Sequence, residues 1–407
     1  MKKLRKVFLF SIICSIAIAD TNNLEILQKD KKELRELEKQ SIETNYETLK
    51  NDWIGTIDIS SSVNRNHSFD KDKSDDGRYG KTARIGFTQS IFESGGIMLT
   101  IQYAKDKLKY DLLSWQNQNQ QLLQTIYTTL LDIKKLKLQI AQSKYRLENK
   151  DIELIIKKIQ YEAGKTDIIE LNNAVMSKNN QFKENISLEN TLKEKEYELS
   201  KYTDLKSDEI EIIDFDVVSK DDFINNNIDI LQEDSKIDMM NTNYKKVKTN
   251  YLPKVSLSSN ASYSSSDSEF NKMARNTNKD DAQSTASLTL SMPLFDYNRS
   301  NKIQEAKIDY LKQKIQVNDL KNEVAFDYEQ TLNQIDTYEK HIKTIEENIR
   351  LYDDLISANQ ISNDAGMTSE YDLDILKNTK LINEYDMVIN DINIKLQYAK
   401  LYFKIKG

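Results

Sequence analysis

Hydrophobic and polar positions along this chain repeat with two different periods. From Trp53 onward, Trp53, Gly55, Ile57, Ile59 and Val63 fall on one face, and Thr56, Asp58, Ser60, Ser62 and Asn64 on the other. Residues 83–91 alternate Ala83, Ile85, Phe87 and Ile91 against Arg84, Gly86, Thr88 and Ser90. A third run sets Val255, Leu257, Ala261 and Tyr263 against Lys254, Ser256, Ser258, Asn260 and Ser262, and a fourth sets Ala286, Leu288, Leu290 and Met292 against Ser287, Thr289 and Ser291. A period of two predicts four strands, each with one apolar face and one small, polar face. Elsewhere the apolar residues are spaced by threes, fours and sevens. Leu112, Trp115, Leu122, Ile126, Ile133, Leu136, Ile140, Leu147 and Leu154 predict one long helix. Ile303, Ala306, Tyr310, Val317, Leu320 and Val324, then after a four-residue stutter Tyr328, Leu332, Ile335, Ile342, Ile345, Ile349, Tyr352 and Ile356, predict a second. A helix over residues 97–163 would run about 100 Å at 1.5 Å per residue, too long for a globule.

The elements come in the same order twice. Phe92 and Phe295, each leading into a long helix, are 203 residues apart, and the turns Ala163-Gly164 and Ala365-Gly366 are 202 apart. Two landmarks at nearly one offset predict an internal duplication. The first repeat spans 20–203: a helix over 22–50, a strand hairpin over 53–91, a long helix over 97–163 and a return helix over 167–200. A charged connector follows at 204–222. The second repeat spans 223–407: a helix over 223–250, a strand hairpin over 252–294, a long helix over 296–363 and a return helix over 370–404. The breakers agree with these bounds. Of nine glycines and two prolines, none interrupts residues 97–163 or 294–365, and Pro253 and Pro293 flank the third and fourth strands.

Composition adds a cellular address. Lys2, Lys3, Arg5 and Lys6 precede a short apolar stretch that ends in Ala17-Ile18-Ala19, the pattern of a cleaved signal peptide over 1–19. The one cysteine, Cys14, lies inside that stretch behind Ile13, which is too large for a lipoprotein site. Removing the four basic residues takes the formal net charge from −7 to −11, which disfavours nucleic acid as a partner. No later run is apolar enough for a membrane helix, so any insertion must use the strands. The secretion signal and the long polar loops at 65–80 and 267–283 favour an outer-membrane sheet over a soluble one. Four strands cannot close a barrel in lipid without leaving unsatisfied edges. Two chains would supply 8 strands and three would supply 12; both remain open on these grounds.

Two repeats of strand hairpin, very long helix, Ala-Gly turn and return helix resemble the TolC-like outer-membrane efflux family. Tyr251-Leu252-Pro253-Lys254-Val255 is similar to the family's Leu-Pro approach to a strand. Ser291-Met292-Pro293-Leu294-Phe295-Asp296 is similar to its strand exit, and the run from Tyr161 to Asp167 resembles its tip motif. The resemblance covers essentially the whole mature chain. It implies an α+β membrane protein: a homotrimer whose shared 12-stranded β-barrel in the outer membrane is continuous with a periplasmic α-helical coiled-coil barrel. It implies a passive exit duct of a tripartite efflux or type I secretion system. The partners it implies are outer-membrane lipid, a periplasmic adaptor (membrane fusion) protein, and an inner-membrane pump or ABC exporter. Adaptor docking is carried over to Ala163, Gly164 and Lys165 and to Ala365, Gly366 and Met367. The pore constriction is carried over to Asp372, with Glu170 at the corresponding position after the first turn. The family's second acid falls on Ile375; Asp374 stands one position earlier, about 100° round the helix. Asn363 and Thr368 replace the aromatic and basic residues of the usual closed-state latch.

These residues also have plainer roles. A glycine in a left-handed turn ends a helix whether or not anything docks there, and acids in a first helical turn are favoured by the dipole alone. As for catalysis, His67 and His341 are the only histidines. No cysteine–histidine metal cluster, catalytic triad or phosphate-binding loop is present in the sequence, so neither an enzyme nor a resident cofactor is expected. Two other classes compete. A periplasmic adaptor would carry one helical hairpin rather than two, and a coiled-coil stalk or adhesin would lack paired amphipathic strands.

Overall fold

The computed structural model describes residues 21–67, 77–211, 213, 215, 218–275 and 280–405. The signal segment with Cys14, most of the first polar loop, part of the second, and Gly407 lie outside the described residues. A 3-10 turn at Thr21–Ile26 precedes α1 (Lys29–Lys50), β1 (Ile57–Asn66), β2 (Arg78–Phe92), α2 (Gly96–Glu162) and α3 (Ile168–Ser200). Then come α4 (Lys220–Asn226), α5 (Ile228–Thr249), β3 (Lys254–Asp267), α6 (Phe270–Arg275), β4 (Asp280–Ser291), α7 (Arg299–Asp364) and α8 (Glu370–Tyr402). Long helices and one antiparallel sheet make an α+β fold. Among the described residues no helix is long and apolar enough to cross a membrane.

The chain divides into two compact units. The helical unit takes the described residues of Met1–Glu36, Gln116–Asp229 and Asn322–Gly407. Its core is the middle of α2, where Ile126, Leu130, Leu131 and Ile133 are almost completely buried with Leu199, Ile392, Ala399 and Phe403. The predicted stripe positions Ile126, Ile133, Leu136 and Ile140 are buried. So are Leu123, Leu130 and Leu131, which lie off that stripe, because the connector and α8 both cover this stretch of α2. Phe215 of the connector meets Tyr127, Tyr402 and Phe403 edge-on, and Tyr127 stacks on Phe403 at 5.5 Å. A clasp closes nearby: Ile228 N donates to Lys404 O at 2.8 Å, and Asp229 accepts from both Lys404 Nζ and Asn117 Nδ2 at 2.7 Å.

The sheet-bearing unit takes Leu37–Trp115 and Ile230–Lys321. Its strands pair antiparallel in the order β1-β2-β3-β4, so β1 and β4 each have an open edge. The register carries Ile57 to Phe87 and Ile59 to Ile85, then Ile85 to Ala261 and Ala83 to Tyr263, and Leu257 to Leu288. These side chains share one face.

Several predicted boundaries move, each for a physical reason. Trp53 and Gly55 precede β1 rather than belonging to it. Gln89 Oε1 accepts from Gly55 N at 3.0 Å while Gln89 Nε2 donates to Trp53 O at 3.1 Å, so a side chain replaces the strand pairing there. A bulge between Ser90 and Phe92 flips the parity of β2, so that Phe92, not Ile91, stands opposite Val255. The helix expected over 223–250 is two helices. Asn227 at the end of an asparagine run is extended (φ −62°, ψ 122°) and bridges to Ile405. The second polar loop contains α6, whose Met273 is buried.

Gly55 marks a close approach. A β-carbon there would lie 1.9 Å from the Thr88 carbonyl oxygen, a backbone atom within the sheet. We expect Gly55→Ala to destabilise the β1–β2 hairpin by about 1–3 kcal/mol, the usual cost of overpacking. The expected readout is an apparent melting temperature several degrees lower. Gly95→Ala separates the two causes, because its β-carbon would meet nothing within 4 Å while its φ of +90° strains any side chain, so it should show only the backbone cost of about 1–2 kcal/mol.

Candidate functional site

The sheet has the distribution of polarity that a wall between lipid and water requires. On one face Ile57, Ile59, Val63, Leu288 and Leu290 project with more than 60% of their surface exposed, which is unfavourable in water. The opposite face carries Ser60, Ser62, Thr82, Ser262 and Ser264 by register, and Ser258 and Ser287 share a hydrogen bond of 2.7 Å across it. The strands are 10, 15, 14 and 12 residues long, enough for the 9–11 residues that a tilted strand needs to cross a bilayer. Aromatic side chains bound the apolar face at both ends. Tyr79 and Tyr263 lie at the loop end with Phe270 of α6, and exposed Phe92, Phe295 and Tyr297 lie at the helix end. Paired aromatic girdles of this kind mark membrane interfaces.

The motif at the end of β4 has a local job. Asp296 Oδ1 accepts from Asn298 N at 2.8 Å, and Asp296 Oδ2 accepts from Lys302 Nζ at 3.1 Å and Tyr251 OH at 3.3 Å, which fixes the start of α7. The Asn298 N–H, and after it Lys302, hold the Asp296 carboxyl below its ordinary range.

Both tips lie in the helical unit and are built alike. Gly164 (φ +66°) and Gly366 (φ +71°) occupy the left-handed region. At the first tip Lys165 N donates to Gln160 O and Gly164 N to Tyr161 O, at 2.8 and 2.9 Å. At the second, Met367 N donates to Ser362 O and Gly366 N to Asn363 O, both at 2.8 Å. These are paired Schellman caps, the arrangement for which glycine is selected. Ala163, Gly164, Lys165, Ala365, Gly366 and Met367 are all exposed. Asn363 and Thr368 stay within their own tip: Asn363 Nδ2 donates to Thr368 O, and Thr368 Oγ1 to Asn359 Oδ1, both at 3.2 Å.

The candidate constriction acids have unlike surroundings. Asp372 is the third residue of α8 and half of a capping box. Ser369 Oγ accepts from Asp372 N at 3.3 Å, and Asp372 Oδ2 accepts from Ser369 Oγ at 2.8 Å. Glu170, 202 residues earlier, is the third residue of α3, and its N–H is capped by Asp167. Its carboxylate instead reaches Lys157 of α2, at 3.2 Å. Asp374 lies 3.9 Å from Lys377. Among the described residues no group of three or more acids, histidines or cysteines is arranged to hold a metal ion.

Sequence reading missed one duplicated feature. Lys178 pairs with Asp151 at 2.5 Å, and Lys380 with Asp353 at 2.6 Å. Both pairs recur at the offset of 202, so each return helix is tied to its long helix by the same bridge. The two hairpins also meet each other: Gln142 Nε2 donates to Asp386 Oδ1 at 2.6 Å, and Tyr145 stacks on Tyr385 at 6.0 Å. Comparing positions 202 apart would have shown the paired bridges in the sequence.

Residues 221–375 match the family described as outer membrane efflux protein. No curated protein is similar to the chain in sequence. Among solved structures, the outer membrane protein VceC of Vibrio cholerae superposes with a TM-score of 0.71 at 11% identity, covering 95% of each chain. The outer membrane channel CmeC of Campylobacter jejuni gives 0.70 at 12%, covering 94% of this chain and 84% of that one. The open state of the MtrE outer membrane channel of Neisseria gonorrhoeae gives 0.66 at 12%, covering 95% and 87%. Residues 221–375, within the second repeat, thus match the outer membrane efflux protein family, and along nearly its whole length the chain shares the fold of outer-membrane channels.

Proposed function

We propose that three copies of this chain assemble into a passive exit duct in the outer membrane, serving an efflux or type I secretion machine whose energy comes from an inner-membrane pump or ABC exporter. The open, lipid-type sheet carries the reading. Its edges at β1 and β4 leave backbone groups unpaired, which is untenable in hydrocarbon. Pairing β4 of one copy with β1 of the next removes every edge, and three copies supply 12 strands, above the roughly eight needed to close. The helices favour the same assembly. Exposed Ile168, Val175 and Phe182 recur every seven residues along α3, and Ile308, Leu311 and Ile315 form an exposed patch on α7. Such seams suit a neighbouring helix. The tips would receive a periplasmic adaptor.

Where three copies bring their tips together, Asp372 forms a ring of carboxylates that attracts cations and repels anions. Asp374, two residues further on, and Glu170, the counterpart of Asp372 in the first repeat, are its auxiliaries. The test is single-channel recording in planar bilayers. Wild type should conduct with a preference for cations, and Asp372→Asn should lower that preference and weaken block by multivalent cations. The amide oxygen can still serve the Ser369 cap, so helix content should hold. Unchanged ion selectivity in the variant removes Asp372 from the constriction, and failure of the wild type to form conducting trimers overturns the duct itself.

A further inference from the structure

Within the chain, the long helix of the first repeat takes the return helix of the second. Gln142 Nε2 of α2 donates to Asp386 Oδ1 of α8 at 2.6 Å and to Ile382 O at 3.0 Å. Tyr145 stacks on Tyr385 at 6.0 Å, and Asn149 Nδ2 donates to Thr379 Oγ1 at 3.4 Å. Numbers rise along α2 as they fall along α8, so the two helices run antiparallel. Moved by the offset of 202, forward for α2 and back for α8, the same contact falls on α7 and α3. Gln142 and Asp386 map on Thr344 and Glu184, Tyr145 and Tyr385 on Glu347 and Lys183, and Asn149 and Thr379 on Leu351 and Ser177. The chain does not make this second contact with itself. Thr344, Glu347, Leu351, Lys183 and Glu184 are exposed, and so is Met176 beside Ser177. Leu351 and Met176 each leave more than half of their surface open, apolar area whose removal from water favours association.

We propose that α3 of a neighbouring copy seats on α7 in the register that α8 takes on α2, an arrangement that rests on the reading of the chain as a three-copy duct. The second repeat of each copy is then completed by the first repeat of the next. A second copy is the occupant because only a first repeat carries the matching face: the chain's own α3 leaves it exposed, and the corresponding face of α8 is already used on α2. The contact joins two different surfaces head to tail, the kind that closes into a ring when the rotation allows. With residue 344 set against 184 on antiparallel helices, Leu351 meets Met176 and Ser177, Lys183 meets Glu347 with Glu346 beside it, and Glu184 meets Lys343. These charges also have neighbours on their own helices. Lys343 and Arg350 lie within about one turn of Glu347, and Glu184 Oε2 accepts from Gln181 Nε2 at 3.0 Å. The ion pairs therefore fix the register, and the apolar pair supplies more of the affinity.

Disulfide trapping in the detergent-purified, assembled protein tests the register, because a disulfide needs Cα atoms within about 7 Å. The one native cysteine, Cys14, is replaced by alanine throughout. Leu351→Cys with Ser177→Cys should give covalent trimers on a non-reducing denaturing gel, with dimers at partial oxidation. Leu351→Cys with Glu184→Cys, about 10 Å further along α3, should leave monomers. Asn149→Cys with Thr379→Cys should close within one chain and produce no oligomer; failure of that bridge removes the internal contact on which the register is built. A bridge between residues 177 and 351 that forms inside a monomer overturns the proposal, because the chain's own α3 then takes the place. A charge reversal tests the register without cysteines. Lys183→Glu should lower the yield of trimer several-fold, since each seam gains like charges, and adding Glu347→Lys should restore it. A yield that the first change does not move, or that the second does not restore, overturns the pairing of Lys183 with Glu347. Native mass spectrometry and channel recording of the wild type separate the two readings. A wild type that is not trimeric removes the duct, whereas conducting trimers that give no bridge between 177 and 351 remove only this seam.

Discussion

Replacing Gly164 and Gly366 together by tryptophan is expected to leave the assembled channel intact and to reduce export by at least about tenfold, the factor that loss of one 1.4 kcal/mol contact gives. The structure separates the two possible outcomes of such a change. A β-carbon at either glycine meets nothing within 4 Å, so no packing is disturbed. What remains is the strain of a left-handed backbone, about 1–2 kcal/mol for a non-glycine residue. Two-bond Schellman caps and the bridges Asp151–Lys178 and Asp353–Lys380 hold each hairpin against that cost. The indole would project from an exposed turn into the space a docking partner needs. The measurement is export rate in cells depending on this channel, set against the amount of trimer on a native gel. Alanine at both sites is the control: it carries the same backbone strain and little bulk, and should export nearly as well as wild type. Full export by the tryptophan variant rules out docking at the tips. Equal loss with alanine assigns the glycines to backbone conformation alone.

What the sequence made legible follows from which interactions are local. Strand alternation, helix stripes and the Gly turns are set by period and by backbone chemistry, so Ile57, Ile59, Leu288 and Leu290 were placed on one face without coordinates. The offset of 202 likewise placed Glu170 and Asp372 at the same helical position. The bulge at Ser90 was not legible, because nothing in the alternation of residues 83–91 signals an extra residue. Nor was the role of Gln89, a side chain that substitutes for backbone pairing. At the candidate constriction, the sequence supplied Asp372 but not its bond to Ser369, although Ser369 three residues before Asp372 resembles a capping box in all but the length of the acid. Duplication also had a limit. It equates positions while saying nothing of what each copy touches, as Glu170 with Lys157 and Asp372 with Ser369 illustrate.

The same divergence sets the largest stability effect expected in the chain. By the offset of 202, Phe403 at the end of α8 corresponds to Lys201 at the end of α3. Lys201 is exposed, whereas Phe403 is 1% exposed. The difference comes from the connector, since Phe215 lies against Phe403 at 6.0 Å and the ring also stacks on Tyr127 of α2. Phe403 therefore joins α2, α8 and the connector at one point, and burial raises the Tyr127 hydroxyl above its ordinary pKa in the same cluster. Phe403→Ala would remove a buried ring from a site that three elements hold open, so the cavity cannot readily collapse. The expected loss is about 3–5 kcal/mol, against less than about 1.5 kcal/mol for Phe403→Leu, which keeps most of the volume. Denaturant unfolding of the detergent-purified protein, followed by circular dichroism of the helices, measures both. Lys201→Ala, the corresponding change in the first repeat, should fall within about 0.5 kcal/mol of wild type, as exposed substitutions do. If Phe403→Ala and Lys201→Ala cost the same, the connector does not pin the second repeat, and the two halves are equivalent in stability as well as in sequence order.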